Sequence, residues 1–192
     1  MTAVVVMKVA AVTESGLWLI EFFNFKKQTM TIAKQMLTEL VAEAVTTRKM
    51  LALFPFDKSA YKPHEKSMPM GNLARHIAEI YGWAKETVQL DELDFAKLDF
   101  VPKALTSNEE LLALFDKCLT ASKEILENAT DEEMAKPWTM KNGEIIYFTM
   151  PKAQVMRTWV LNHSVHHRAQ LGVYLRMLDI PIPGSYGPSA DE

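Results

Sequence analysis

No proline interrupts the chain between Pro151 and Pro181, and that stretch is long enough for one extended helix. Thr149 and Pro151 suit its start, as a capping hydroxyl and a proline near the first turn. Pro181 and Pro183 forbid continuation much beyond Leu178. A helix of this length must bury an apolar stripe against comparable partners. Three other segments supply them. Residues 31–52 place Ile32, Met36, Leu37, Leu40, Val41 and Ala44 at helical spacing. Residues 70–89 align Leu73, His76, Ile77, Ile80, Tyr81 and Ala84, with Asn72 or Ser67 available as a cap. A third segment starts at Ser107, has Glu109 and Glu110 in its first turn, and runs to about Asn128 through Leu111, Leu112, Phe115, Leu119 and Ile125. Pro55 and the polar run 57–66 separate the first two helices, and 91–105 reads as irregular. Asn142-Gly143, flanked by Trp138–Met140 and Ile145–Phe148, marks a small hairpin before the last long helix. The expected fold is all-α, an up-and-down four-helix bundle with that hairpin inserted.

The length of 192 residues suits one domain with its own core. The single cysteine, Cys118, excludes an intramolecular disulfide and points to a reducing, cytoplasmic setting. A net charge of −3 and a pI near 6.0 argue against a nucleic-acid partner. No apolar run reaches membrane-spanning length, so no membrane partner is expected. Residues 1–29 are apolar, but their first positive charge, Lys8, lies inside the apolar part, unlike a secretory leader. They are set apart as an N-terminal extension of uncertain role, and residues 30–192 as the helical domain.

Three of the five histidines fall in the run LNHSVHHRAQLGVYLR. Helical residues turn by about 100° each, so His163 and His167 lie about 40° apart on one face. Imidazoles one turn apart can share a metal ion at about 2.0–2.1 Å per bond. His163 and His166, at i and i+3, are an alternative pair, and spacing alone leaves both open. His76 sits within the apolar stripe of its helix, where ring nitrogens without partners are costly. A metal on one nitrogen and an acceptor on the other would satisfy them. His64 lies in a Lys-rich loop and reads as solvated. Cys118, in an apolar helical context, reads as a buried thiol, and the tryptophans as core. No Ser-His-Asp arrangement or phosphate loop is present.

These residues resemble the DinB/YfiT-like family over about residues 31–192. The most specific part is NHSVHHRAQLGVYLRMLDIPIPGSYGPSADE. The family places one histidine in the second helix and H-x3-H in the last, followed by Arg, a small residue and Gln. Here these are His76, His163, His167, Arg168, Ala169 and Gln170; Ala169 stands where many relatives have Gly. The resemblance selects His167 over His166 and implies a four-helix bundle, a homodimer and a three-histidine site for zinc, nickel or iron. The resemblance does not fix a reaction: some relatives are transferases that use a low-molecular-weight thiol as co-substrate, others are thiol-dependent isomerases, and many have no established activity.

Three protein ligands leave a metal position open, as in a catalytic site. The reading that follows is thiol transfer to a small electrophile. The alternatives are metal-dependent hydrolysis and a non-catalytic metal- or ligand-binding stress protein. Glu79, three residues after His76, is a candidate base or second-sphere acceptor. Arg168 is a candidate anion clamp or a structural ion-pair residue. Gln170 and Tyr174 are candidates to line or brace the pocket.

Overall fold

The computed structural model describes residues 4–12, 18–25, 30–98 and 104–192 and divides the chain into two compact units, Met1–Met30 and Thr31–Glu192. In the first, β1 (Val4–Val12) pairs antiparallel with β2 (Trp18–Phe25), from Val4↔Phe25 to Val12↔Trp18, with an irregularity between Val9 and Ala11. The sequence reading assigned no element to this extension, because its apolar residues follow no clean period. Their β-branched and aromatic character matches strand formation.

The second unit is mostly helical. Helix α1 (Ile32–Ala52) starts at Thr31, whose hydroxyl accepts the Lys34 N–H, and Asp131 Oδ1 accepts the Ile32 N–H at 2.8 Å. Its buried residues, Ala33, Met36, Leu40, Ala44, Thr47 and Leu51, follow the helical period. The segment expected as one helix over 70–89 forms two, α2 (Met70–Ile80) and α3 (Trp83–Gln89). The break has a physical cause. The Ser122 hydroxyl donates to the Tyr81 carbonyl, and the Tyr81 phenol shares a 2.9 Å hydrogen bond with Thr47. Gly82 follows, packed so closely that a Cβ there would lie 3.1 Å from Cys118 Sγ.

Helix α4 (Asn108–Asn128) begins as the sequence indicates, with Ser107 accepting the Glu110 N–H and the Glu110 carboxylate accepting the Thr106 N–H at 2.7 Å. A short helix, α5 (Asp131–Ala135), follows and was not foreseen. Strands β4 (Pro137–Asn142) and β5 (Ile145–Pro151) form the expected antiparallel hairpin. Gly143 turns it at φ +60°, a conformation that favours glycine, and its N–H donates to the buried Asp94 carboxylate at 2.8 Å. The segment read as irregular contributes β3 (Glu92–Asp94), parallel to β4, so the hairpin is part of a three-stranded sheet.

The last long helix is one continuous run of three parts: α6 (Lys152–Val155), a π-helical segment Met156–Asn162, and α7 (His163–Met177). Lys152 anchors its start. The ammonium is buried and donates to the Val88 carbonyl and Glu133, with Asp91 at 3.0 Å. Helix α4 packs on α1, α2 and α3, and α7 packs on α1 and α2. The core between them includes Leu40, Leu73, Ile77, Phe115, Leu126, Val160 and Leu171. Among the described residues no helix is long and apolar enough to cross a membrane.

Candidate metal centre

Helices α2 and α7 lie in contact, and their facing stripes bring His76, His163 and His167 together. One ligating nitrogen from each lies within 4.8 Å of the others. Ring centroids are 5.1 Å apart for His76 and His163, 4.7 Å for His76 and His167, and 4.4 Å for His163 and His167. The π-helical segment ends at Asn162, directly before His163. Upstream of the site, buried residues step by five, Val155 to Val160 and Met156 to Leu161, instead of three or four. The wide turn thus sets the phase in which α7 presents its histidines.

The hydrogen bonds fix the tautomers. His163 Nδ1 lies 3.3 Å from the Trp159 carbonyl oxygen, an atom that only accepts, so Nδ1 carries the proton. His167 Nδ1 lies 2.7 Å from Gln170 Oε1, an oxygen that accepts its proton. The two Nε2 atoms face each other at 2.7 Å, a distance at which one proton or one cation is shared between them. Two lone pairs at that distance repel unless a cation or a proton is shared between them. The outer partners needed to orient chelating imidazoles are also in place.

Electrostatics favour neutral rings. Burial pushes His76 down to about 4, aided by repulsion from His167. Burial also takes His163 to about 4, with His167 and His76 adding and the Trp159 carbonyl opposing. His167 is lowered by burial, against the raising effect of Gln170. Neutral imidazole is the form that binds metal. Nitrogens bound to one ion at about 2.0–2.1 Å lie about 2.9 Å apart at a right angle and about 3.4 Å apart at the tetrahedral angle. His163 and His167 stand just short of this range at 2.7 Å and all three donors lie within 4.8 Å of one another, so the donor set fits a divalent cation after small side-chain rotations.

The other candidates are placed as follows. Glu79 faces back along α2 to Arg75, at 2.7 Å, and is not part of the ligating group. Arg168 is 2% exposed and lies 2.5 Å from Glu43 Oε2; it also donates to the Glu43 carbonyl, Thr47 Oγ1 and Tyr186 Oη. Tyr174 donates to the Met68 carbonyl and stacks edge-on with Tyr61, which braces the loop before α2. His166 is exposed, and His64 accepts the Lys66 N–H in its loop. Burial raises the Cys118 thiol, which packs against Gly82.

Two of the tryptophans expected in the core also border the cluster, and Trp83 packs against the core as well. Trp83 lies 5.5 Å from both His76 and His163, and Trp159 meets the His163 ring edge-on at 5.9 Å. Phe148 of β5 stacks on Trp159. The spacing held part of a signal: Trp159 is four residues before His163 in the same continuous helix, whereas Trp83 opens α3, across the break from His76.

Residues 26–192 match the model of the DinB family. The chain belongs to the DinB family. Two solved structures show the same fold. One is a DinB-like protein of Bacillus subtilis, with a TM-score of 0.63 at 18% identity over 79% of this chain and 97% of its own. The other is a DinB-like protein of Bacillus cereus ATCC 10987, with a TM-score of 0.59 at 24% identity over 79% of this chain and 95% of its own. At these identities the likeness concerns the fold. No curated protein matches the chain. This DinB-family protein thus carries a possible metal-binding cluster of three histidines in a mostly helical unit.

Proposed function

We propose that this DinB-family protein is a metal-dependent enzyme that transfers a low-molecular-weight thiol to a small electrophile, with His76, His163 and His167 as the metal ligands. The observation that carries the reading is the approach of the Nε2 atoms of His163 and His167 to 2.7 Å, with His76 closing the group and no carboxylate in it among the described residues. An all-imidazole set holds zinc, nickel or iron and leaves the ion its full positive charge. A divalent ion so held supplies an open position that lowers the pKa of a bound thiol and so favours the thiolate nucleophile. The chain's own residues orient and desolvate. Trp159 and Gln170 hold the protons of His163 and His167 on Nδ1, and Trp83 shields two of the rings from water. The thiol proton passes to solvent, because Glu79 is engaged by Arg75. Hydrolysis by bound water uses the same ligands, and a non-catalytic binder would take up metal without turnover.

The finer architecture in this reading is a four-helix bundle of α1, the α2–α3 pair, α4 and the last helix. Its support is the closed circuit of contacts, α1 to α4 to α2 to α7 and back to α1. Homodimerisation would use exposed apolar pairs such as Val41 and Val45 on α1 and Val173 and Met177 on α7. The lone Cys118 accords with a cytoplasmic setting.

The test is metal analysis of the purified protein and of His76→Ala, His163→Ala and His167→Ala, followed by turnover of thiol–electrophile pairs. About one divalent ion per chain, lost in the variants together with thiol-dependent turnover, is the expected result. Metal uptake with no turnover for any thiol would favour the binding protein. Absence of metal after reconstitution with zinc, nickel and iron would overturn the reading.

A further inference from the structure

The histidine cluster is flanked by an aromatic wall. Phe148 and Trp159 lie nearly parallel, with planes 9° apart and centroids 5.4 Å apart. Trp138, on β4, extends the stack at 6.1 Å from Phe148. Trp159 carries the stack to His163, whose ring stands at 88° to the indole. Aromatic faces aligned in this way accept another flat ring by offset stacking or edge contact.

The charges say what such a guest does not carry. The only cation on α2, Arg75, pairs with Glu79. On the last helix Lys152 pairs with Asp91 and Glu133, Arg157 with Glu39, Arg168 with Glu43 and Arg176 with Asp191. Every lysine and arginine on the helices that bear the histidines is therefore already in an ion pair. A carboxylate or phosphate held on the wall itself, away from the ion, would find no uncommitted cation among the described residues of these helices and would meet the cost of desolvation. The wall has polar need of a different kind. The indole N–H groups of Trp138 and Trp159 are both buried, with no acceptor among the described residues. Buried indole N–H groups ordinarily have one, and a neutral oxygen on a guest would satisfy the Trp159 N–H without a charge once the side chains that now cover it move aside.

We propose that the Phe148–Trp159 wall, backed by the buried Trp138, is the subsite for the electrophile, and that it selects an uncharged, flat aromatic or conjugated molecule bearing a neutral acceptor oxygen. The proposal rests on the transferase reading, in which the metal-bound group attacks what the wall holds. It also has a readout independent of turnover.

The probe is 4-fluoroacetophenone, followed by fluorine NMR line broadening with zinc-loaded and chelator-treated protein; 4-fluorobenzenesulfonate is the anionic counterpart. The expected result is that Trp159→Leu and Phe148→Ala each weaken ketone binding about tenfold, and that the sulfonate binds about tenfold more weakly than the ketone to the chelator-treated parent, where no ion holds it. Trp159→Phe keeps a ring, removes the N–H and serves if the leucine variant unfolds; it should retain part of the affinity. Equal ketone binding by parent and variants, no ketone binding at all, or sulfonate binding as tight as ketone to the chelator-treated parent would overturn the subsite. Zinc content of the same samples separates the two readings. Ring binding in a parent that takes up no metal sinks the transferase but not the wall, and metal uptake without ring binding does the reverse.

Discussion

His163 Nε2 and His167 Nε2 face each other at 2.7 Å, each with its Nδ1 held by an acceptor on the same helix. A cation relieves that juxtaposition, so binding should stabilise the folded chain. An ion at one hundred times its dissociation constant adds about 2.7 kcal/mol. Zinc added to chelator-treated protein should raise the thermal midpoint of the parent and leave His163→Ala and His167→Ala unchanged. An equal rise in parent and variants, measured by calorimetry, would place the ion elsewhere.

Gln170 acts on that geometry from outside. Its carbonyl fixes the proton of His167 on Nδ1, and orienting partners of metal-bound histidines are worth about 10–100-fold in affinity. Gln170→Ala should weaken zinc binding toward that extent with the melting temperature of the metal-free protein nearly unchanged. Gln170→Glu keeps an acceptor oxygen and should keep the affinity. Competition titration with a chromophoric chelator reads both, and unchanged affinity in the alanine variant would remove Gln170 from the site.

Some of this was legible in the sequence. Ser107 with Glu110, Asn142-Gly143 and the His163–His167 spacing are local signals, and each sits where local chemistry puts it. The break at Tyr81 was not legible, because its cause is Ser122 on another helix. The π-helical segment was hidden for a related reason: buried steps of five match neither the helical nor the strand period. Lys152 reads as solvated in any linear pattern, yet it is buried because Glu133, Asp91 and the Val88 carbonyl converge on it from separate segments. Phe148 belongs to a strand outside the helical period of the last helix, so only the tertiary fold could show it beside Trp159.

The metal-free protein should lose stability in mild acid. His76 and His163 both titrate near 4 in the folded chain, against 6.5 for an ordinary histidine. Between those values the unfolded chain holds more protons than the native one, so stability rises with pH there. It should therefore fall as pH drops from about 6.5 towards 4, more steeply in the parent than in the double variant His76→Phe/His163→Phe. Denaturant melts across that window check the sign, and parallel curves for the two proteins would show that these rings are not the source.

Arg168 separates a structural role from a catalytic one. Its side chain is 3% exposed and ties α7 to Glu43 and Thr47 of α1 and to Tyr186 of the tail. Removing one partner of a buried pair leaves the other charge uncompensated, at a cost of about 3–5 kcal/mol, whereas replacing both by apolar groups is often neutral. Glu43 is 16% exposed, so part of that cost is relieved by solvent. Arg168→Met should be strongly destabilising, and Glu43→Leu added to it should recover much of the loss. Zinc affinity at low temperature, where the variant is still folded, should change little. If Arg168→Met leaves the melt intact but abolishes turnover, the guanidinium serves the substrate and the ion pair with Glu43 must open during the reaction.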